Sequence, residues 1–273
     1  MRPAHLSLLL STILASAAIA LSACGAADQA KNAVDPVAQA ADVTQRSGTA
    51  EIAFHGKVTT SGKTVPIDGH GVIDTRDGSR ARLSFTGTGT QVDELLLGKT
   101  LYIGGDAVRG ELPSGKRWAK IDLQKLAAKA GVDASDLDGG GSSNASEMLR
   151  YLRGAGSVRK QGSENVAGAS TTHYHAVVDV AKLAAEQGNA TTLRKLGAEL
   201  NGPMTLDVWI DAAHRVRQEK VDYTMMAKGR RARTAFTMQL THFGVPMRLD
   251  APSKDDVRDM TDQVLRQVHR RSG

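Results

Sequence analysis

The chain has 273 residues, with 35 Lys and Arg against 29 Asp and Glu, a net charge of +6 and a single cysteine. One cysteine excludes a disulfide-stapled scaffold, and the length is sufficient for one domain held together by packing alone. Apolar residues make up 41% of the chain but aromatic ones only 4%, so any ligand cavity is built from Leu, Val, Ile, Ala and Met, which suits acyl chains better than planar cofactors.

The chain opens with a short polar start carrying Arg2, an uncharged apolar run from Leu6 to Ala20, and then Ser22 and Ala23, the three-part layout of a secretory signal. The run of 15 residues (20 − 6 + 1) is shorter than the roughly 20 needed to span a bilayer as a helix. Leu21-Ser22-Ala23-Cys24 resembles the bacterial lipobox, in which small residues admit the signal peptidase and the cysteine sulfur takes a diacylglyceryl group. That resemblance implies removal of residues 1–23, with Cys24 as the lipidated N-terminus and residues 24–34 as a small, polar tether. Each buried CH₂ contributes about 0.8 kcal/mol, and two acyl chains anchor stably. The anchor implies a location on the outer face of the cytoplasmic membrane, and Gly25 and Ala26, which follow the cysteine in place of an aspartate, read as no outer-membrane sorting exception.

The mature chain then has 250 residues (273 − 23) and, without Arg2, a charge of +5 (6 − 1). Export argues against a nucleic-acid partner. The residual positive charge is either ordinary solubility charge or an attraction to anionic head groups, where each nearby Lys or Arg is worth about 1 kcal/mol.

Asp35-Pro36 supplies a cap and a first-turn proline, which predicts a helix to about Arg46 with Val37, Ala40, Ala41 and Thr44 on one face, stopped by Ser47-Gly48. From Thr49 the period changes to two. "AEIAFHGKVTT" and "KTVPIDGHGVIDT" alternate around a Ser-Gly turn, and "RARLSFTG", "TQVDELLLG" and "KTLYIGG" follow with short polar breaks, so this half reads as an antiparallel meander. Asp122 caps a predicted helix to Ala130 with Leu123, Leu126 and Ala127 on its apolar face. "DGGGSSN" (138–144) reads as a loop within the domain, and 146–153 as another helix with Met148, Leu149 and Leu152.

Two strands, 157–165 and 170–178, are joined by "VAGA", and Asp179 caps a predicted pair of short helices carrying Leu183, Leu193, Leu196 and Leu200. Long strands follow in "GPMTLDVWIDAAHRVRQEKVDYTMM" and "RARTAFTMQLTHFG", with turns at 211–213 and 228–231. Ser253 is expected to cap a terminal helix bearing Val257, Met260, Val264, Leu265 and Val268. The fold class is α+β: one domain over residues 35–273, with about ten antiparallel strands and helices on one face.

The second half, "GSENVAGASTTHYHAVVDVAKLA", "GPMTLDVWIDAAHRVRQEKVDYT" and "FTMQLTHFGVPMRLDAPS", resembles the LppX/LprG family of actinobacterial lipoproteins and, more distantly, the LolA/LolB-like lipoprotein-carrier fold. The resemblance rests on the Gly168 turn before a strand with His173 and Tyr174, the strand end Trp209-Ile210-Asp211, and the closing Phe243-Gly244 and Ala251-Pro252. It covers about Thr49 to Pro252. It implies a strongly curved half-barrel with helices over its concave face, enclosing a cavity for lipid tails. The "DGGGSSN" stretch is looser than the helical crossover of that family.

Strand parity puts Leu83 and Phe85; Met204, Leu206, Val208 and Ile210; Val221, Tyr223 and Met225; and Phe236, Met238 and Leu240 on the inward face, as candidate cavity lining. The same residues would equally form a closed, dry core. The hairpin tip with Lys228, Arg230, Arg231 and Arg233 is either a grip on phosphate or sugar-acid head groups or an ordinary charged turn.

Catalytic signals are weak. Ser157-Val158-Arg159-Lys160 matches S-x-x-K, but on a predicted strand rather than a helix start, and Lys99-Thr100 is followed by leucine instead of the glycine a K-T-G motif needs. His173-x-His175 places two imidazoles on one strand face without the third and fourth ligands of a zinc site. No phosphate loop, dinucleotide fingerprint or nucleophile elbow is present, so neither a cofactor nor an enzymatic activity is expected. The expected function is a membrane-anchored lipoprotein binding or carrying lipid or lipoglycan acyl chains; the alternative is a closed-core envelope protein for interaction or signalling.

Overall fold

The computed structural model describes residues 35–76, 79–130, 149, 151–180, 197–227 and 229–272. Residues 36–273 form one compact unit. The export signal, Cys24 and the tether lie outside the described residues, as do "DGGGSSN", Lys228 and the helices expected after Asp179, apart from a turn at 197–199.

Helix α1 (Pro36–Arg46) buries Val37, Ala40, Ala41 and Thr44 on one face, the 3.6-residue period read from the sequence. Thr44 is fully buried because its hydroxyl is a relay: Oγ1 accepts from the Val216 backbone N–H at 2.7 Å, while its carbonyl accepts from Thr75 Oγ1 at 2.9 Å. The helix is thereby bonded to two segments far apart in sequence, at Thr75 and Val216.

The strands are β1 (Thr49–Thr60), β2 (Lys63–Asp74), β3 (Arg80–Gly87), β4 (Thr90–Leu97) and β5 (Thr100–Gly104), then, after the short helix α2 (Asp106–Arg109), β6 (Trp118–Asp122). Helix α3 (Leu123–Ala130) follows directly, and Asp122 caps it by accepting from the Lys125 N–H at 2.9 Å. The second half holds β7 (Ala155–Val166), β8 (Ala169–Val178), β9 (Thr205–Asp211), β10 (Val216–Ala227), β11 (Arg230–Thr241), a three-residue β12 (Val257–Asp259) and helix α4 (Thr261–Ser272). None of the described helices is long and apolar enough to cross a membrane.

Among the described residues the twelve strands form one curved, unclosed sheet in the order β12-β6-β5-β4-β3-β2-β1-β11-β10-β9-β8-β7. Three of the hairpins turn on two residues with positive φ, Ser61-Gly62, Thr88-Gly89 and Ala167-Gly168, the mirror-image turn that matches strand twist. The pairing of β1 with β11 joins the two halves from Glu51↔Thr241 to Thr60↔Ala232.

Two expectations need correction. Ser253 caps only a short 3₁₀ turn (Lys254–Asp256), after which Val257 lies in β12, which pairs parallel to β6; the terminal helix starts at Thr261, so Val257 and Met260 are not on it. The sheet is therefore mixed, and β6 and β12 are the two strands beyond the expected ten. A parallel partner arrives through a long crossing with no hairpin turn, so its local sequence carries no pairing signal.

The inward face is lined by alternate residues of β1–β5 and β7–β11, in one apolar cluster with Val37, Ala40 and Ala41 of α1 and with Leu149 and Leu152. Curling is made possible by a glycine row. Phe54 and Phe85 stand two strands apart, about 9.6 Å at a strand spacing of roughly 4.8 Å, yet their ring centroids are 6.1 Å apart because Gly69 between them has no side chain. Beside it, a Cβ on Gly71 would fall on the Arg82 carbonyl oxygen and within 2.9 Å of the Leu83 Cα.

Candidate functional site

The predicted inward set is brought together. Leu83, Met204, Leu206, Val208, Ile210, Val221, Met238 and Leu240 are all buried members of the central cluster. Phe85, Tyr223 and Phe236 are half-buried and pack against it, Phe236 stacking on Phe54 with centroids 5.6 Å apart. Met225 is half-buried and bridges to Leu200. The gradient follows the strands. The β1–β2, β3–β4 and β10–β11 tips share one end of the sheet, and it is toward this end that Phe85, Tyr223, Met225 and Phe236 lose cover.

Within this greasy face stands one residue that the sequence reading missed. Glu219 lies in register with Val208 and Met238 and shares the parity of Val221 and Tyr223, so its side chain enters the interior; it is 0% exposed. Neither carboxyl oxygen has a hydrogen-bond partner among the described residues. Removal from water with nothing in exchange raises its pKa well above the ordinary glutamate range, so burial favours the neutral, protonated carboxyl. The parity of "EKVDYTM" contained this placement. A charged residue beside a lysine is read as surface by composition, and that reading hid it.

The cationic tip is divided. Arg230 and Arg231 are exposed, whereas Arg233 is engaged on the opposite face of the sheet by Asp222, donating Nε–H at 3.1 Å and Nη2–H at 2.7 Å. Arg233 therefore is not a free head-group contact.

His173 and His175 share the outer face of β8, but as parts of a carboxylate network rather than as freely exposed side chains. His173 sets Nδ1 2.9 Å from Glu164 and Nε2 3.0 Å from Asp207, and His175 sets Nδ1 3.0 Å from the same Asp207 oxygen. Trp209 stacks on His173 at 4.3 Å and donates its indole N–H to Glu164 at 2.9 Å. Among the described residues no group of three or more His, Cys, Asp or Glu is placed to hold a metal ion. Ser157 and Lys160 are opposite Val177 and Tyr174 on β7, on different faces of the sheet, and do not form a catalytic pair.

A second concavity lies on the outer face. It crosses the strands from Thr241 and Glu51 to Trp118, has a volume of about 620 Å³, and includes His70, Arg82, Ser84 and Asp93 in its lining.

No protein-family profile matches the chain. An uncharacterized 31.2 kDa protein from the rplA-rplJ intergenic region of Streptomyces griseus is 26% identical over 250 residues, covering 84% of this chain and 80% of that one. The crystal structure of the Mycobacterium tuberculosis lipoprotein LppX matches with 15% identity and a TM-score of 0.48, over 79% of this chain and 96% of LppX. LprF from Mycobacterium bovis matches with 11% identity and a TM-score of 0.47, over 80% and 95%. A LolA-superfamily protein from Nitrosomonas europaea matches over 82% and 96%, with 10% identity and a TM-score of 0.31. The chain is similar to LppX- and LprF-type lipoproteins.

Proposed function

We propose that the protein is a lipoprotein fastened through Cys24 to the outer face of the cytoplasmic membrane, and that it binds or carries lipid or lipoglycan by taking acyl chains against the inward face of its sheet. The observation that carries this reading is the apolar inward face, buried at one end and only half-covered toward the tips at Phe85, Tyr223, Met225 and Phe236. Apolar surface of this kind is stabilised by an apolar guest at about 25 cal/mol per Å² removed from water.

Glu219 gives the interior one directional contact. A neutral carboxyl group buried without partners can donate to an ester carbonyl and accept from a hydroxyl, so it recovers its lost hydrogen bonds only when a polar group of the ligand reaches it. Arg230 and Arg231, exposed near the half-covered end, are positioned to meet anionic head groups at the membrane surface.

Metabolic labelling with a radioactive fatty acid tests the anchor and the cargo together. The wild type is expected to keep label through organic extraction, because the label on Cys24 is covalent. The Cys24→Ala chain is expected to lose that fraction while still releasing labelled lipid into the solvent. Extraction-resistant label on Cys24→Ala removes the anchor; the absence of any extractable label removes the cargo.

A further inference from the structure

We infer that the outer-face groove is a second binding site, for a neutral sugar ring, independent of whatever the interior holds. Its defining feature is Trp118. A Cβ built on Gly104 of the neighbouring strand would lie 3.0, 3.0 and 3.2 Å from three adjacent atoms of the six-membered indole ring. Near-equal distances put that point over the face of the ring instead of at its edge. The indole is thus laid flat on β5 through the gap that a glycine leaves, and it lines the groove while only half-buried. A flat aromatic surface of this kind presents a π-face to the C–H face of a pyranose.

Polar groups are arranged beside the platform. Asp93, in register with Gly104, has one carboxylate oxygen held by Ser84 at 2.8 Å and by Gln91 at 3.2 Å, which fixes it as an acceptor for sugar hydroxyls. Arg82 and His70 line the same groove, are exposed, and have no hydrogen-bond partner among the described residues, so they remain available as donors. The charge balance selects the ligand class. Glu51 and Asp93 repel an anion, Arg82 repels a cation, and a polyol is accepted by both signs of group; Glu94 borders the groove only through its backbone, since its pairing with Leu83 gives its side chain the inward parity. At about 620 Å³ the groove falls within the ordinary range of small-molecule sites, roughly 300–1,000 Å³.

The sequence contains two tryptophans, and this makes the test direct. Trp209 is 7% exposed and stacked on His173, on a strand well removed from the groove. The protein is titrated with neutral glucose, mannose and galactose disaccharides, and separately with choline and inorganic phosphate, while tryptophan emission is followed. At least one disaccharide is expected to change the emission saturably. Trp209→Phe should retain that response, whereas Trp118→Ala should lose it. Arg82→Ala, at an exposed position with no side-chain hydrogen bond or ion pair among the described residues, should weaken the affinity about tenfold, roughly the 1.4 kcal/mol of one hydrogen bond to a charged group. The inference is overturned if no disaccharide changes the emission, if choline or phosphate does so in their place, or if Arg82→Ala leaves the affinity unchanged.

Discussion

Glu219→Met is expected to raise the stability of the protein by about 1–3 kcal/mol at pH 7 while weakening its hold on lipid by about tenfold. Both effects follow from one observation. The carboxyl group is fully buried among Val208, Val221 and Met238 and has no partner among the described residues, so its burial is opposed by the whole of its lost hydration. A thioether of similar size restores apolar contact at no polar cost.

The same group sets a pH dependence of definite sign. Its folded-state pKa lies well above the ordinary value of 4.5, so between that value and the folded one the native state binds more protons than the unfolded chain. Stability therefore falls as pH rises from about 4.5, by up to about 1.4 kcal/mol per unit, until the carboxyl ionises in the fold. Asp74 acts in the opposite sense: its hydrogen bond from Arg76 lowers its folded-state value below 3.8, so its contribution is lost as the pH falls through that lower range. Denaturant melts of wild type and Glu219→Met between pH 5 and 9 check the account, which requires that the two curves diverge as pH rises. Parallel curves would mean that the carboxyl has found a partner.

The second large effect concerns the shape of the sheet. Gly71→Ala is expected to cost about 3 kcal/mol, because the added methyl group meets the Arg82 carbonyl and the Leu83 Cα, and only a shift of β3 against β2 can relieve the contact. At roughly 2–4 °C per kcal/mol for a chain of this size, the melting temperature should drop by about 6–12 °C. Gly87, on the same inward row but with its nearest neighbour, the Pro66 carbonyl oxygen, 3.9 Å away, provides the control: Gly87→Ala should stay within about 0.5 kcal/mol of wild type. A tolerated Gly71→Ala would show that the close approach over β2 is not what sets the curvature.

Much of this architecture was legible because local rules and tertiary structure agree. The Asp35-Pro36 start and the Val37–Thr44 spacing fixed α1, "RARLSFTG" matched β3 residue for residue, and the Ser-Gly and Ala-Gly dipeptides marked the hairpin turns. The losses occur where non-local pairing decides. Trp118–Asp122 and Val257–Asp259 became strands by pairing with each other and with β5, and Ser253 caps a single turn because its chain is captured by β6. Side-chain parity places the inward residues together, and it places Glu219, two residues before Val221, among them, but a charged side chain carries no apolar signal of its own. The outer groove had no sequence signal, since it depends on Trp118 meeting Gly104 across strands that a thirteen-residue connection (117 − 105 + 1) separates.

The most direct measurement is native mass spectrometry of the chain from Ala26 onward, produced without its signal and anchor in the original host and purified without detergent. The account predicts a population heavier than the bare polypeptide by the mass of an amphiphile with at least one acyl chain, released on activation and diminished in Glu219→Met. A single bare mass, unchanged after incubation with lipids extracted from the producing cells, would contradict it and leave an envelope protein with a closed core.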